Sequence, residues 1–302
     1  MINYSTSPRG EVNKFKIMNK SLSIVVNLFI YVIAILVVIL TWRFLPDVHL
    51  LWKILMADVI GTIVVFIFSM IFNNSSMYDP YWSVQPFVIA AFLAWPIQDL
   101  GILGMIVLIM VLLYGIRLTL NFYRGWPGMS NEDWRYRNFR SGFPTLYWPI
   151  SFLGIHLFPT IMVFLACMSL LQIYQGPGLE LNVWFIAGLG TMILAVGLAY
   201  IADDQMKKFR NKEENKGKLM REGLWKYSRH PNYLGEILTW WGLFFFSLSA
   251  GYDQWWMIVG PLTVTLMFVG ISIPLLEKRE LKRRPEYAGY KKEVGMLLPL
   301  KF

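Results

Sequence analysis

The chain has 302 residues, 56% of them hydrophobic and 16% aromatic, with a mean hydropathy of +0.48 and a formal net charge of +9. That is far more apolar than a soluble domain of this length needs, and it points to a polytopic membrane protein. The lone Cys167 excludes a disulfide framework, and the scattered His49, His156 and His230 offer no metal-ligand spacing, so no metal is expected.

A basic arm over 1–20 leads into eight apolar stretches, at 21–43, 52–73, 84–97, 100–120, 148–173, 180–202, 233–250 and 253–276. Most are near the roughly 20 residues that span a hydrocarbon core. The exception is 84–97, which Pro86 and Pro96 can break. The expected fold is an all-α polytopic bundle of seven or eight transmembrane helices. The first stretch reads as an anchor, because it is too long for a signal-peptide core and no small-residue cleavage site precedes Trp42-Arg43-Phe44. Asp58, inside the second stretch, requires a partner from a neighbouring helix.

Polar residues then recur at the mouths of the apolar runs. In SMYDPYWSVQP, residues 76–86, Asp79 and Tyr78 stand at a lip beside Tyr81 and Trp82. Tyrosine and tryptophan populate membrane interfaces whatever their function, and an acid before Pro80 also serves as a helix cap. In LLYGIRLTLNFYRGW, residues 112–126, Tyr114 and Arg117 are three apart and share a helix face, with Arg117 close enough to the end to snorkel. Farther on, Asp203, Lys207 and Arg210 fall at i, i+4 and i+7, one stripe of a helix that continues the 180–202 run. A solvated helix end is the bland account of that stripe.

The stretch SRHPNYLGE, residues 228–236, places Pro231 at a helix start, with Asn232 and Glu236 on one face of its first turns. Arg229 and His230 just before it make that N-terminus a ready anion site. The tail, EKRELKRRPEYAGYKKEVGMLLPL, mixes basic residues with Tyr287 and Tyr290, and contact with anionic lipid is its default role.

Of the 28 Lys and Arg, 4 lie in the N-terminal arm, 4 in 121–147, 9 in 203–230 and 8 in 277–302. With eight spans and a cytoplasmic N-terminus, all four segments share one face and both termini are cytoplasmic, the positive-inside pattern. The charge therefore reports topology, and no nucleic-acid partner is expected.

In this order along one chain, the Asp203/Lys207/Arg210 stripe, EGLWKYSRHPNYLGEI (222–237) and the tail EYAGYKKEVGMLLPL resemble the C-terminal cofactor-binding region of the steroid 5-alpha-reductase family, in an uncharacterised bacterial membrane branch. The match is good over about a third of the chain and thinner before it. The resemblance implies NADPH as cofactor, with no Rossmann motif, and a bacterial inner membrane location. It implies that Asp203 and Arg210 contact the adenosine part, and that Tyr227, Asn232 and Glu236 lie along the pyrophosphate and nicotinamide. Arg279 and Arg283 fall where tail residues of the family reach the cofactor. Arg229, His230 and Tyr233 belong to the same motif, and Lys207 is added because a 2′-phosphate needs a nearby cation. In the N-terminal half, Asp79 and Tyr114 match an acid and a tyrosine that the family spaces similarly, and Arg117 matches an arginine of the family. Asp79 and Tyr114 are thus the candidate catalytic pair, with Tyr78, Trp82 and Trp240 against the substrate. Two departures stand: Tyr78-Asp79 replaces a Gln-Glu pair of the animal enzymes, and the chain has an extra N-terminal span.

The implied organisation is a cytoplasmic arm (1–20), an N-terminal transmembrane region with the substrate site (21–147) and a C-terminal cofactor-binding region (148–302). The implied reaction is reduction of the activated C=C bond of a hydrophobic enone, a 3-oxo-4-ene steroid or similar lipid, entering from the membrane. Two rivals remain. Isoprenylcysteine carboxyl methyltransferases, distantly similar, also carry an Arg-His-Pro-x-Tyr-x-Gly motif but use S-adenosylmethionine, and a non-catalytic sterol-binding or lipid-binding membrane protein would show the same motifs.

Overall fold

A computed structural model describes residues 18–299, so the arm expected over 1–20 lies almost wholly outside the described residues. Within them all regular structure is helical, and the backbone bridge between Ser228 and Gly295 is isolated. We number the helices α1 (Lys20–Thr41), α2 (Leu50–Ile71), α3 (Tyr81–Ala94), α4 (Gly101–Gly125), α5 (Trp134–Gly142), α6 (Tyr147–Gln175), α7 (Val183–Asn211), α8 (Pro231–Ser249), α9 (Trp255–Arg283) and α10 (Tyr287–Glu293). Six of these, α1, α2, α4, α6, α7 and α9, are long and apolar enough to cross a membrane, so the chain is an integral membrane protein with an all-α polytopic bundle. The apolar runs at 84–97 and 233–250 form the shorter α3 and α8, of 14 and 19 residues. The first turns of α8 carry Asn232 and Glu236, which lower its apolarity.

Helix α1 shows how these elements face lipid. Its buried residues, Ser23, Asn27, Ile30, Tyr31 and Ala34, recur at helical spacing on one stripe, and three of the five are polar. The exposed side carries Val25, Phe29, Ile39 and Leu40. Apolar side chains outward and polar ones inward is the order expected where the solvent is hydrocarbon.

The chain divides into two compact units. The first takes the described residues up to Tyr81 together with Phe122–Ile161, and the second takes Trp82–Asn121 with the described residues from Met162 on.

In the first unit, hydroxyls and amides join the helices. Thr62 of α2 bonds Thr160 of α6 at 2.7 Å, and Tyr78 bonds the same Thr160 at 2.6 Å. The partner that Asp58 requires is Tyr81, whose hydroxyl donates to Oδ1 at 2.7 Å. A π-helical turn, Ser151–Leu157, swings His156 inward, where Nδ1 meets the Ser151 carbonyl at 2.9 Å and Nε2 meets Ser69 Oγ at 3.1 Å.

In the second unit, α7 and α8 pack closely because small residues face each other. A Cβ on Gly235 would stand 2.7 Å from both the Ala195 carbonyl oxygen and the Ala199 Cβ, and one on Gly188 would stand 2.7 Å from the Phe246 ring. The glycine of the SRHPNYLGE stretch is thus required by backbone approach. It brings the polar first turns of α8 against the polar end of α7.

Candidate functional site

The second unit holds a cluster drawn from three helices. Arg117 of α4 donates through Nη1 to Asp203 Oδ2 of α7 at 3.2 Å, and through Nη2 to Glu236 of α8. Asn232, one turn before Glu236, donates through Nδ2 to Asp203 Oδ1 at 3.1 Å. Arg117 and Glu236 are buried and Asp203 is half-buried. Tyr114 is buried beside them, its ring centroid 5.8 Å from the Arg117 guanidinium, its hydroxyl towards Glu236 and its ring edge-on to Trp240 at 5.7 Å. Six residues expected in a site, from stretches up to 126 positions apart (Tyr114 to Trp240), therefore share one set of contacts. Within it two carboxylates face one guanidinium, and Arg117 Nε is buried without a hydrogen-bond partner. Such a site can hold a polar or cationic group by short, charge-assisted bonds.

The rest of the α7 stripe points elsewhere. Lys207 is exposed. Arg210 approaches the end of α9, where Arg283 and Arg284 pair with Glu280 at 3.5 and 2.6 Å. Arg210 stands outside those two ion pairs, so three guanidiniums gather around one carboxylate. Arg279 is half-buried and Tyr227 is exposed.

Arg229 and His230 are partnered within the chain. The buried Glu277 of α9 accepts from Arg229 Nε at 2.7 Å and meets His230 Nε2 at 3.1 Å, while its other oxygen accepts from Lys291 at 2.7 Å. Burial holds the His230 imidazole below its ordinary range, with Glu277 opposing. The tail completes this lock. The Arg229 N–H donates to the Gly295 carbonyl at 3.0 Å and the His230 N–H to the Met296 carbonyl at 3.1 Å, while Tyr290 donates to the Trp225 carbonyl. Carbonyls of the tail thus occupy N–H groups just before α8 that an external anion would otherwise meet. Tyr233 stacks on His230 at 5.6 Å and packs against Phe268 at 4.9 Å.

Asp79 belongs to the first unit, at the end of a short turn, Ser75–Tyr78, that leads into α3. Two stretches are stitched together around it. Asn74 Nδ2 donates to the Met129 and Asn131 carbonyls, both at 3.0 Å. The Ser75 N–H donates to Glu132 Oε1 at 2.8 Å and the Asp133 N–H to Ser76 Oγ at 2.7 Å. From the other side, Asn27 Nδ2 and the Tyr31 hydroxyl of α1 donate to the Met77 carbonyl at 3.1 and 3.0 Å. The Tyr136 hydroxyl donates to Asp79 Oδ1 at 2.5 Å. Removal from water pushes the Asp79 carboxyl up to about 7, against the pull of Arg135.

Tyr78, expected against substrate, is a core residue of the first unit. It stacks on Tyr81 at 4.9 Å and lies 4.7 Å from His156. Trp82 is half-buried and Trp240 fully buried, both in the second unit. Of the residues that build the Asp79 setting, Asn74, Ser75, Ser76 and Tyr136 are neutral and Glu132 stands in a polar loop, so none carried a periodic signal. The polar run NNSS before Met77, between two apolar stretches, is the hint that could have found them.

Residues 65–294, well over half of the chain, match the model of the family described as "Protein of unknown function (DUF1295)", and the chain belongs to that family. It is also similar to an uncharacterized protein of Schizosaccharomyces pombe, with 25% identity over 252 residues that cover 75% of this chain and 73% of the yeast protein. No solved structure matches.

Proposed function

We propose that this DUF1295 protein is an NADPH-dependent membrane reductase acting on the activated C=C bond of a hydrophobic enone, a 3-oxo-4-ene steroid or similar lipid. The observation that carries the reading is the Arg117–Asp203–Asn232–Glu236 cluster beside Tyr114. The family of the chain is one that includes steroid 5-alpha-reductase-like proteins, which agrees with it.

The donor set suits the cofactor. The buried Arg117 Nε, together with Asp203 and Asn232, offers donors and acceptors for hydroxyl and amide groups, and the guanidiniums of Arg210 and Arg283 offer a seat for a 2′-phosphate. When bound, NADPH supplies the hydride that goes to the β-carbon of the enone. The chain's own residues handle the charge that this creates. Tyr114 donates a hydrogen bond to the carbonyl oxygen on which negative charge builds, and Arg117 and Trp240 hold its ring. Asp79, in its protonated form, is assigned as a hydrogen-bond donor within the first unit. Trp82 gives the apolar body of the substrate a flat surface.

Full-length protein in detergent, given NADPH and a panel of 3-oxo-4-ene steroids and simpler enones, should oxidise NADPH only when an enone is present. Tyr114→Phe should still bind NADPH but lose turnover by about a hundredfold. Undiminished turnover in Tyr114→Phe would remove the assigned donor.

One observation favours a second reading, methyl transfer from S-adenosylmethionine: two carboxylates face a single guanidinium in the cluster, a balance that suits a sulfonium cation. Methyl transfer to a lipid acceptor without any NADPH oxidation would replace the reductase by this reading.

A further inference from the structure

Asp79 is set differently from Asp58, Glu236 and Glu277. Its Oδ1 accepts from the buried Tyr136 hydroxyl at 2.5 Å, whereas its Oδ2 carries no hydrogen bond among the described residues, and the side chain is only half-buried. Asp58, Glu236 and Glu277 are instead buried and bonded to donors. The groups facing Asp79 come from three segments. They are Arg135, Asp133 and Glu132 from the 129–136 stretch, Tyr136 itself, Tyr31 of α1, and Tyr78 of its own turn. Of these, Tyr136 is the one in direct hydrogen-bond contact. Arg135 pairs with Asp133 at 2.7 Å, and Tyr31 donates to the Met77 and Tyr78 carbonyls at 3.0 and 3.2 Å.

A carboxyl group carries its proton on one oxygen. In a protonated carboxyl the carbonyl oxygen is a stronger acceptor than the hydroxyl oxygen, so a phenolic hydrogen donated to one oxygen favours the proton on the other. We propose that Tyr136 is a positioning residue for Asp79: by donating to Oδ1 it keeps that oxygen an acceptor, so that Oδ2 carries the carboxyl proton and presents it to an acceptor atom of a bound ligand. The residue that does this lies 57 positions after Asp79, in a stretch pinned to the Asp79 turn by four hydrogen bonds from Asn74, Ser75 and Asp133. Because of those bonds Tyr136 cannot drift from Oδ1 without breaking buried partners, which gives the assignment its directionality. The identity of the acceptor, a substrate carbonyl, rests on the reductase reading; the placement of the proton does not.

The test needs no turnover. Infrared difference spectra of the full chain in lipid nanodiscs, recorded across pH, should show a protonated-carboxyl band that titrates near neutrality and is missing in Asp79→Asn. In Tyr136→Phe the carboxylate loses a donor, and the midpoint should rise by about one pH unit. Incorporation of 3-fluorotyrosine at 136 keeps the ring and its packing but strengthens the donor, and the midpoint should fall. A structural role alone would not move the two in opposite directions. An unmoved midpoint in both, or a band unaffected by Asp79→Asn, overturns the assignment. The alkaline limb of NADPH-dependent turnover, measured on the same preparations, should follow the infrared midpoint. Matching infrared shifts without any enone turnover would leave Tyr136 in its role and remove the reductase reading, while turnover with an unmoved midpoint would do the reverse.

Discussion

In the second unit, two carboxylates from two helices share the guanidinium of a third, whereas in the first the Asp79 carboxyl takes its hydrogen bond from a neutral phenol. In the Arg117 cluster the two carboxylates are tied to one guanidinium by ion pairs from two other helices. That arrangement suits recognition, because it holds the donors and acceptors in place. Asp79 meets no ion pair, and its proton is free to come and go. That suits proton handling. The difference teaches that burial alone does not assign a role to an acid, and that what lies within hydrogen-bond distance does.

The largest effect expected from breaking this contrast is in the charged cluster. Arg117→Ala leaves two carboxylates close together with their shared cation gone, and should lower unfolding stability in detergent by about 3 kcal/mol. Adding Asp203→Asn and Glu236→Gln to it should restore part of that loss. A triple variant no better than the single one would show that the guanidinium matters for packing and not for charge.

A smaller loss, about 2 kcal/mol, is expected from Gly235→Ala, because the new methyl meets the Ala195 carbonyl and Ala199. Denaturant titration should show it, together with faster amide exchange at the start of α8. A variant as stable as the parent would mean that α7 and α8 are not in such close contact.

The first unit should respond to pH through Asp79. The Asp79 carboxyl stands at about 7 in the fold against an ordinary value of 3.8. The folded state therefore binds the proton more tightly, so this contribution to stability is fully present below about 4. It is lost as pH rises towards 7, with no further change above. Asp79→Asn should flatten that part of the stability profile, and a profile unchanged by the substitution would place the titration elsewhere. The smallest effect concerns discrimination between cofactors. Arg210→Ala should weaken NADPH binding about tenfold and leave NADH binding nearly unchanged, as calorimetry would show. Equal weakening of both would remove the 2′-phosphate seat.

The charged residues of the second unit were legible in the sequence because ionisable groups in apolar helices are costly and demand partners, so Arg117, Asp203 and Glu236 announce themselves. The helical bundle was legible for a related reason, the length of the apolar runs. The Asp79 setting was not, since Asn74 and Ser75 are neutral and lie in a turn, and Tyr136 is neutral and stands in the short, polar α5. Arg229 and His230 were visible as a motif, but their partner Glu277 stands 48 and 47 positions on, and no local spacing reveals it. Tyr78 shows a third cause. Its place at the lip was plain, yet the turn at 75–78 decides which way the ring faces, and it faces Tyr81 and His156.

The most direct measurement is a ligand titration followed by thermal stability, with NADPH and S-adenosylmethionine applied separately to the parent chain and to Asn232→Ala. The account predicts that NADPH raises the midpoint of the parent in proportion to the logarithm of its concentration, that Asn232→Ala loses most of that rise, and that S-adenosylmethionine does nothing. A midpoint raised by S-adenosylmethionine alone would contradict it.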